Sequence, residues 1–255
     1  MEELFTLEQN AQNNFEALRK NSYPGRFIGI GLDETGTNLI QIYAIMGRSP
    51  GSRGRRFEEL NNGYIDVRVL DETKVSPQEL ALIQYPAMAQ KGKYFAVSNG
   101  AQTMDALSRS MNSCYGLADI AYRDVWTYEP DENTTARITA TSVLLDNMKY
   151  STEILLLQKS VFGNTCVKSL YKCDEFTPGF GVYVSTYDGD GNPLPTFTGS
   201  PRLIPFTGGQ DMVTRKFWDA LNSENKVSIV SKFIDIRTGE STVQIINKHE
   251  LEVAK

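Results

Sequence analysis

The sequence predicts one α+β domain of antiparallel strands packed as sheets with helices outside. Three observations carry this. Short runs rich in Ile, Val and aromatic residues recur between turn residues. Helical patterns cluster in the N-terminal segment, in a block within residues 77–126 and near residues 212–221. Strand and helix do not alternate as a parallel nucleotide-binding sheet requires. With 255 residues, 40% hydrophobic and 22% charged, the chain can bury one substantial core.

Taking the elements in order, Leu4, Leu7, Ala11, Phe15 and Leu18 fall on one helical stripe, so residues 1–22 read as an amphipathic helix ahead of a domain over 23–255. Tyr23-Pro24-Gly25 ends it. Residues 27–32 and 38–46 form a hairpin around a turn at 33–37, and residues 62–70 alternate as a further strand. Ser76-Pro77-Gln78-Glu79 has capping-box spacing with proline at the first helical position, which starts a helix over 77–85. A strand over 94–98 leads through Asn99-Gly100 into helical stretches at 103–111 and 116–126. Strands follow at 136–145, 152–159, 167–172 and 181–187, then a helix at 212–221. A final strand pair, 227–236 and 242–247, turns at Thr238-Gly239-Glu240. Gly29-Ile30-Gly31 lacks the third glycine and following helix of a dinucleotide loop and reads as strand.

Composition narrows the chemistry. Apolar runs such as residues 154–157 are far shorter than the roughly 20 residues that span a bilayer, and no secretory leader pattern opens the sequence, so the expectation is a cytoplasmic protein with no membrane partner. The 26 Lys and Arg against 31 Asp and Glu give a net charge of −5, which provides no positive field for nucleic acid. Cys114, Cys166 and Cys173 form no Cys-x-x-Cys pair and read as reduced thiols rather than a disulfide framework or metal site. His249 is the one histidine. Imidazole-rich zinc sites are therefore excluded, a Ser-His-Asp system would need His249 itself, and the residue is expected at a strand end.

The densest chemical feature is residues 47–56, a small-residue loop carrying Arg48, Arg53, Arg55 and Arg56 in an acidic chain. Guanidinium forks, serine hydroxyls and free backbone amides suit a phosphate oxyanion, and a solvated basic loop explains the composition equally well. Asn99 stands at a strand-to-helix turn, and residues 128–134 form an acidic connector. Tyr183 and Tyr187 share a strand face expected to be core or rim. Asp188, Asp190 and Asn192 invite a calcium reading, but the bidentate glutamate of an EF-hand loop is missing and a polar turn is expected.

Tyr23-Pro24-Gly25-Arg26, Arg48-Ser49-Pro50-Gly51-Ser52-Arg53, Val97-Ser98-Asn99-Gly100, Tyr128-Glu129 with Asn133-Thr134 and Arg137-Ile138, and the stretch from Val182 to Tyr187 occur in the order seen in archaeal-type IMP cyclohydrolases. The chain resembles that family over about residues 23–220. The resemblance implies a fold like that of the N-terminal-nucleophile hydrolases, a four-layer αββα sandwich of two antiparallel sheets without the terminal nucleophile. It also implies closure of 5-formamidoimidazole-4-carboxamide ribonucleotide to inosine monophosphate, hence a small purine ribonucleotide as partner, no metal or organic cofactor, and a homo-oligomer. Catalytic roles then fall on Arg53, Tyr85 and Glu129, and substrate contacts on Arg26, Arg48, Ser49, Asn99 and Arg137. The family's Asn-Thr-Pro-Arg is replaced here by Asn133-Thr134-Thr135-Ala136-Arg137, with an extra residue and no proline. The N-terminal helix and the hairpin after residue 222 extend beyond the short archaeal form, as an oligomer interface or a lid.

The chemistry agrees with the residue inventory. Ring closure joins two ends of one molecule, so holding one rotamer supplies much of the acceleration, and proton transfer with oxyanion stabilisation supplies the rest without histidine. Two other readings use the same residues. One is an amidohydrolase with a nucleophile freed by cleavage before Ser22. The other is a non-catalytic purine-nucleotide binder.

Overall fold

The turn after Asp33 places Gly36 at φ +70°, a conformation glycine adopts without penalty, and it reverses the chain so that β1 (Arg26–Leu32) and β2 (Asn38–Met46) pair antiparallel. The computed structural model describes residues 2–113, 115–123 and 126–253. The expectations for the Leu4 side chain, for Cys114 and for residues 124–125 lie outside the described residues.

The other strands are β3 (Arg55–Glu59), β4 (Ile65–Val69), β5 (Tyr85–Lys91), β6 (Tyr94–Ser98), β7 (Arg137–Leu144), β8 (Tyr150–Lys159), β9 (Cys166–Cys173), β10 (Phe180–Ser185), β11 (Arg202–Pro205), β12 (Lys226–Asp235) and β13 (Ser241–Asn247). They form a six-stranded sheet in the order β11-β10-β1-β2-β12-β13 and a seven-stranded sheet running β3 to β9 in sequence. All pairings are antiparallel. The helices are α1 (Glu2–Lys20), α2 (Pro50–Arg53), α3 (Pro77–Ile83), α4 (Thr103–Asn112), α5 (Leu117–Tyr122), α6 (Gln210–Ala220) and α7 (Lys248–Val253). No helix among the described residues is long and apolar enough to cross a membrane.

Alternation within each strand decides the layers. On β2, Ile40, Ile42 and Ala44 pack with Phe15 and Leu18 of α1 and Val213 and Phe217 of α6. The opposite face of that strand sends Tyr43 and Ile45 against Phe57, Val67, Val97, Ile138 and Leu156 of the other sheet. Ala96 and Leu155 close the far side against Leu107 of α4 and Ile120 of α5. The result is helix, sheet, sheet, helix, the four-layer α+β sandwich expected from the sequence. It explains why β1 and β2 read as nearly unbroken apolar runs, since both of their faces are covered.

Several local expectations are corrected. The N-terminal helix places Ala11, Phe15 and Leu18 in the core. The hairpin after residue 222 is not an appendage, since β12 pairs with β2 and completes the sheet. The helix from Pro77 stops at Ile83, and Tyr85 opens a strand instead of ending the helix. His249 lies in α7 rather than at a strand end. Cys166 and Cys173 are free thiols, as read from the sequence. The 188–192 turn is held by ion pairs, Asp188 with Arg202 and Asp190 with Arg48.

A polar bolt joins the sheets at the end bearing Asn38 and Asp235. Lys232 of β12 is fully buried, and its Nζ donates to the Gly63 carbonyl at 2.6 Å and to Gln90 Oε1 at 2.8 Å. Burial pushes this ammonium down to about 8 from an ordinary 10.5, with Glu59 opposing weakly. Between those values the unfolded chain binds the proton and the folded chain does not, so stability rises with pH across that window and is penalised below it.

Two measurements check this packing. Phe15→Ala is expected to lower the stability of the purified chain by about 3–5 kcal/mol in urea denaturation, because the cavity left behind cannot fully collapse. The stability difference between Lys232→Met and the unsubstituted chain is expected to shift by about 3 kcal/mol from pH 8 to pH 10.5, in favour of the unsubstituted chain as pH rises. A flat difference would remove the buried charge from the account.

Candidate functional site

Where Tyr23-Pro24-Gly25-Arg26 enters β1, Gly25 has φ +72°, and a Cβ there would collide with Thr186 Oγ1 and the Tyr187 ring. Glycine thus lets the start of β1 lie directly against the end of β10, and the Arg26 backbone N–H donates to Thr186 Oγ1 at 3.1 Å. The same end of the sandwich gathers the loop after β2, the start of β7 and the connector before it. The loop carries a capping box in which Ser49 Oγ accepts from the Ser52 N–H, opening the short turn of α2.

At the centre is a buried ion pair. Arg26 Nη1 donates to Glu129 Oε1 at 3.1 Å and Nη2 to Oε2 at 2.9 Å, a bidentate fork between the two sheets. Arg137 adds a second guanidinium 3.9 Å from Glu129 Oε1. Burial pushes the Glu129 carboxyl above its ordinary value, and Arg26 and Arg137 pull against that rise. For Arg26, burial opposes the charge, but Glu129 and then Tyr85, Tyr43 and Tyr187 outweigh it, so the guanidinium stays cationic.

This pair forms the floor of a cavity of about 350 Å³ whose lining includes Arg48, Ser49, Arg55, Asp131, Thr135 and Tyr187. Arg48 donates to Asp190 at 2.7 Å and lies over the Tyr23 ring, which stacks on Tyr187. Tyr187 shares a hydrogen bond with Thr135 Oγ1, which in turn donates to Asp131. Burial pushes the Tyr187 phenol up to about 12, so it remains a proton donor at neutral pH.

The residues singled out from sequence divide by position. Arg26, Arg48, Ser49 and Glu129 line the cavity. Tyr85, Asn99 and Arg137 form the layer behind it. The Tyr85 hydroxyl lies 2.6 Å from that of Tyr43, with both rings buried between the sheets. The Asn99 side chain is spent within the protein, donating to the Ala136 carbonyl and accepting from the Ile138 N–H, while its own carbonyl receives Arg26 Nη1 at 3.4 Å. Arg137 donates to Gln102 Oε1 at 3.0 Å and stacks over Trp126. Arg53 stands apart, its Nε donating to the Gly47 carbonyl and its Nη2 to Asn225, on a neighbouring cavity.

Arg55, Asp131, Thr135 and Tyr187 were not singled out as site residues. Arg55 follows Arg53 by two positions in one arginine-rich run, and nothing in that run tells which guanidinium turns inward. Thr135 lies in the stretch that departs from the family's Asn-Thr-Pro-Arg by an extra residue and a missing proline, and that departure was the available signal. Among the described residues, no group of three or more His, Cys, Asp or Glu side chains is arranged to hold a metal ion.

The arrangement can bind an anionic ligand through Arg48 and Arg55 and present a carboxylate and a phenol to its reacting end. Comparison with known proteins gives one family: a model described as IMP cyclohydrolase-like protein matches residues 23–240. No curated protein matches the chain.

Breaking the central pair is expected to cost more than replacing it. Arg26→Met alone leaves Glu129 buried without its fork and should destabilise the chain by about 3–5 kcal/mol, whereas Arg26→Met with Glu129→Leu should recover most of that loss. Urea titrations of both variants read the difference. Equal losses would mean that packing, not the stranded carboxylate, sets the cost.

Proposed function

The chain belongs to the IMP cyclohydrolase-like family, and from that premise we propose that it closes 5-formamidoimidazole-4-carboxamide ribonucleotide to inosine monophosphate with release of water. The observation that carries the reading is the buried Arg26–Glu129 fork at the floor of an arginine-walled cavity.

In the addition step, the carboxamide nitrogen forms a bond to the formyl carbon, and one of its protons reaches the formyl oxygen. In the elimination step, the C–O bond breaks, a second proton completes the departing water, and the former formamide nitrogen loses its hydrogen to leave the ring double bond. Enforcing one rotamer of a single molecule removes the entropic cost of encounter. Arg48 and Arg55 are placed to hold the ribonucleotide phosphate by charge-assisted hydrogen bonds. Glu129, whose raised carboxyl binds a proton more readily than an exposed glutamate, takes the carboxamide proton. Tyr187, whose hydroxyl proton is given to Thr135 Oγ1 in this structure, turns that proton to the developing formyl oxyanion when substrate is bound. Tyr85, the tyrosine that the resemblance assigns to this role, supports Arg26 from behind together with Tyr43. Arg53 contributes positive charge from the adjoining cavity.

The fold weighs against an amidohydrolase generated by cleavage before Ser22. Loss of residues 1–21 would strip Ala11, Phe15 and Leu18 from the core.

The deciding experiment mixes the purified chain with the formamido ribonucleotide in chelator and follows purine absorbance. Prompt conversion, undiminished by chelator, is expected. Binding of inosine monophosphate without turnover would replace the enzyme with a nucleotide binder. Glu129→Gln and Tyr187→Phe are each expected to lower kcat about 10²-fold or more with near-ultraviolet circular dichroism unchanged. Wild-type turnover in a folded Glu129→Gln variant would sink the assignment of the base.

A further inference from the structure

Beside the first cavity lies a second of about 160 Å³, lined by Arg53, Arg55, Glu224, Lys226, Lys248 and His249. Four cationic side chains line it with one carboxylate, in a chain whose net charge is −5. Their hydrogen bonds go to neutral oxygens. Arg53 donates to the Gly47 carbonyl and to Asn225 Oδ1, and Arg55 to the carbonyls of Ser52 and Met46. Lys226 donates to the Trp218 carbonyl at 3.1 Å, and Lys248 to that of Ser223 at 2.9 Å. Among the described residues, none of the four forms a salt bridge. Burial lowers the Lys226 ammonium pKa, and Lys248 adds to the drop against the pull of Asp219. His249 Nδ1 is buried without a hydrogen-bond partner among the described residues.

Lys226 also lies over the Trp218 ring at 4.4 Å and Glu224 offsets one charge, and the remaining excess of cations over carboxylates is favourable around an anion. The volume is well under the roughly 300 Å³ of pockets that enclose whole organic ligands, so the occupant is compact. Guanidinium forks and lysine point charges together suit a phosphoryl group. Lys248 and His249 lie outside the family-matched residues 23–240, so the outer wall is an addition to the matched core. Arg55 is the residue, among those described, that lines both cavities.

We propose that this second cavity is a phosphate-binding site distinct from the Arg26–Glu129 cavity. It takes inorganic phosphate or pyrophosphate, or the phosphoryl group of a phosphomonoester, and Arg55 stands between the two occupants. The claim does not depend on the proposed reaction.

As the one histidine, His249 gives a single imidazole signal, so carbon–proton NMR of the intact chain reads the site directly. Inorganic phosphate, pyrophosphate and ribose 5-phosphate are titrated in turn at constant ionic strength, with chloride as control. A saturable shift with at least one phosphate compound and none with chloride is expected. Saturation by inorganic phosphate or pyrophosphate identifies a free anion, and saturation by ribose 5-phosphate alone identifies a phosphoryl group on a larger ligand. Lys248→Ala should weaken the affinity about tenfold, Lys248→Arg should restore it, and Arg48→Ala should leave it unchanged. No saturable shift with any phosphate compound overturns the proposal. So does a response indifferent to Lys248→Ala, or one abolished by Arg48→Ala, which would put the anion in the first cavity.

Discussion

The fork between Arg26 and Glu129 is the constraint on which the functional end of the molecule depends. Arg26 comes from the first strand of one sheet, and Glu129 from the connector that enters the middle of the other. Bringing these charges out of water carries a desolvation penalty that apolar residues of similar volume would avoid. A pair kept under those terms is a poor source of stability and a strong determinant of geometry. It fixes the orientation of the carboxylate, the approach of the connector, and through the Asn99 carbonyl the register of the strand-to-helix turn.

The opposite end of the sandwich uses a different device. There Lys232 crosses from sheet to sheet and is satisfied by a carbonyl and an amide oxygen, with no carboxylate in salt-bridge contact among the described residues. The two ends therefore solve the same problem, locking two twisted sheets in one alignment, with different consequences. The lysine end is sealed by neutral acceptors. The arginine end leaves a carboxylate facing a cavity and surrounds it with cations and phenols.

Legibility from sequence followed the range of the interactions. Strands with both faces covered, such as Asn38–Met46 and Tyr94–Ser98, were readable to the residue because burial on both sides writes itself as apolar composition. Arg55–Glu59 was not readable as a strand. It is an edge strand with four charged side chains in five residues, and Phe57 is the one apolar side chain it inserts between the sheets. Tyr85–Lys91 was hidden by the helix signal before it and by Pro86, and Arg202–Pro205 by its brevity. At the site, Arg26 and Glu129 came from motif resemblance, since nothing local in either stretch names the other as a partner 103 residues away. Tyr187 was visible as a residue and not as a role. Its partners, Thr135 and Asp131, lie on a connector more than 50 residues earlier, and only the fold brings them together.

One physical cause, exclusion of water, shifts both Glu129 and Tyr187 in the cavity. Burial lifts the Glu129 carboxyl, so the carboxylate becomes a better proton acceptor than its exposed counterparts. The same exclusion lifts the Tyr187 phenol to about 12, which keeps its hydroxyl neutral and makes it a weaker acid than an exposed tyrosine. In the proposed reaction this leaves Glu129 a stronger base than in water and Tyr187 a neutral hydrogen-bond donor. This is the role a histidine often fills, and here the one histidine stands outside the cavity. A reaction that moves a proton between two ends of one bound molecule needs such a pair more than it needs a single group that titrates near neutrality.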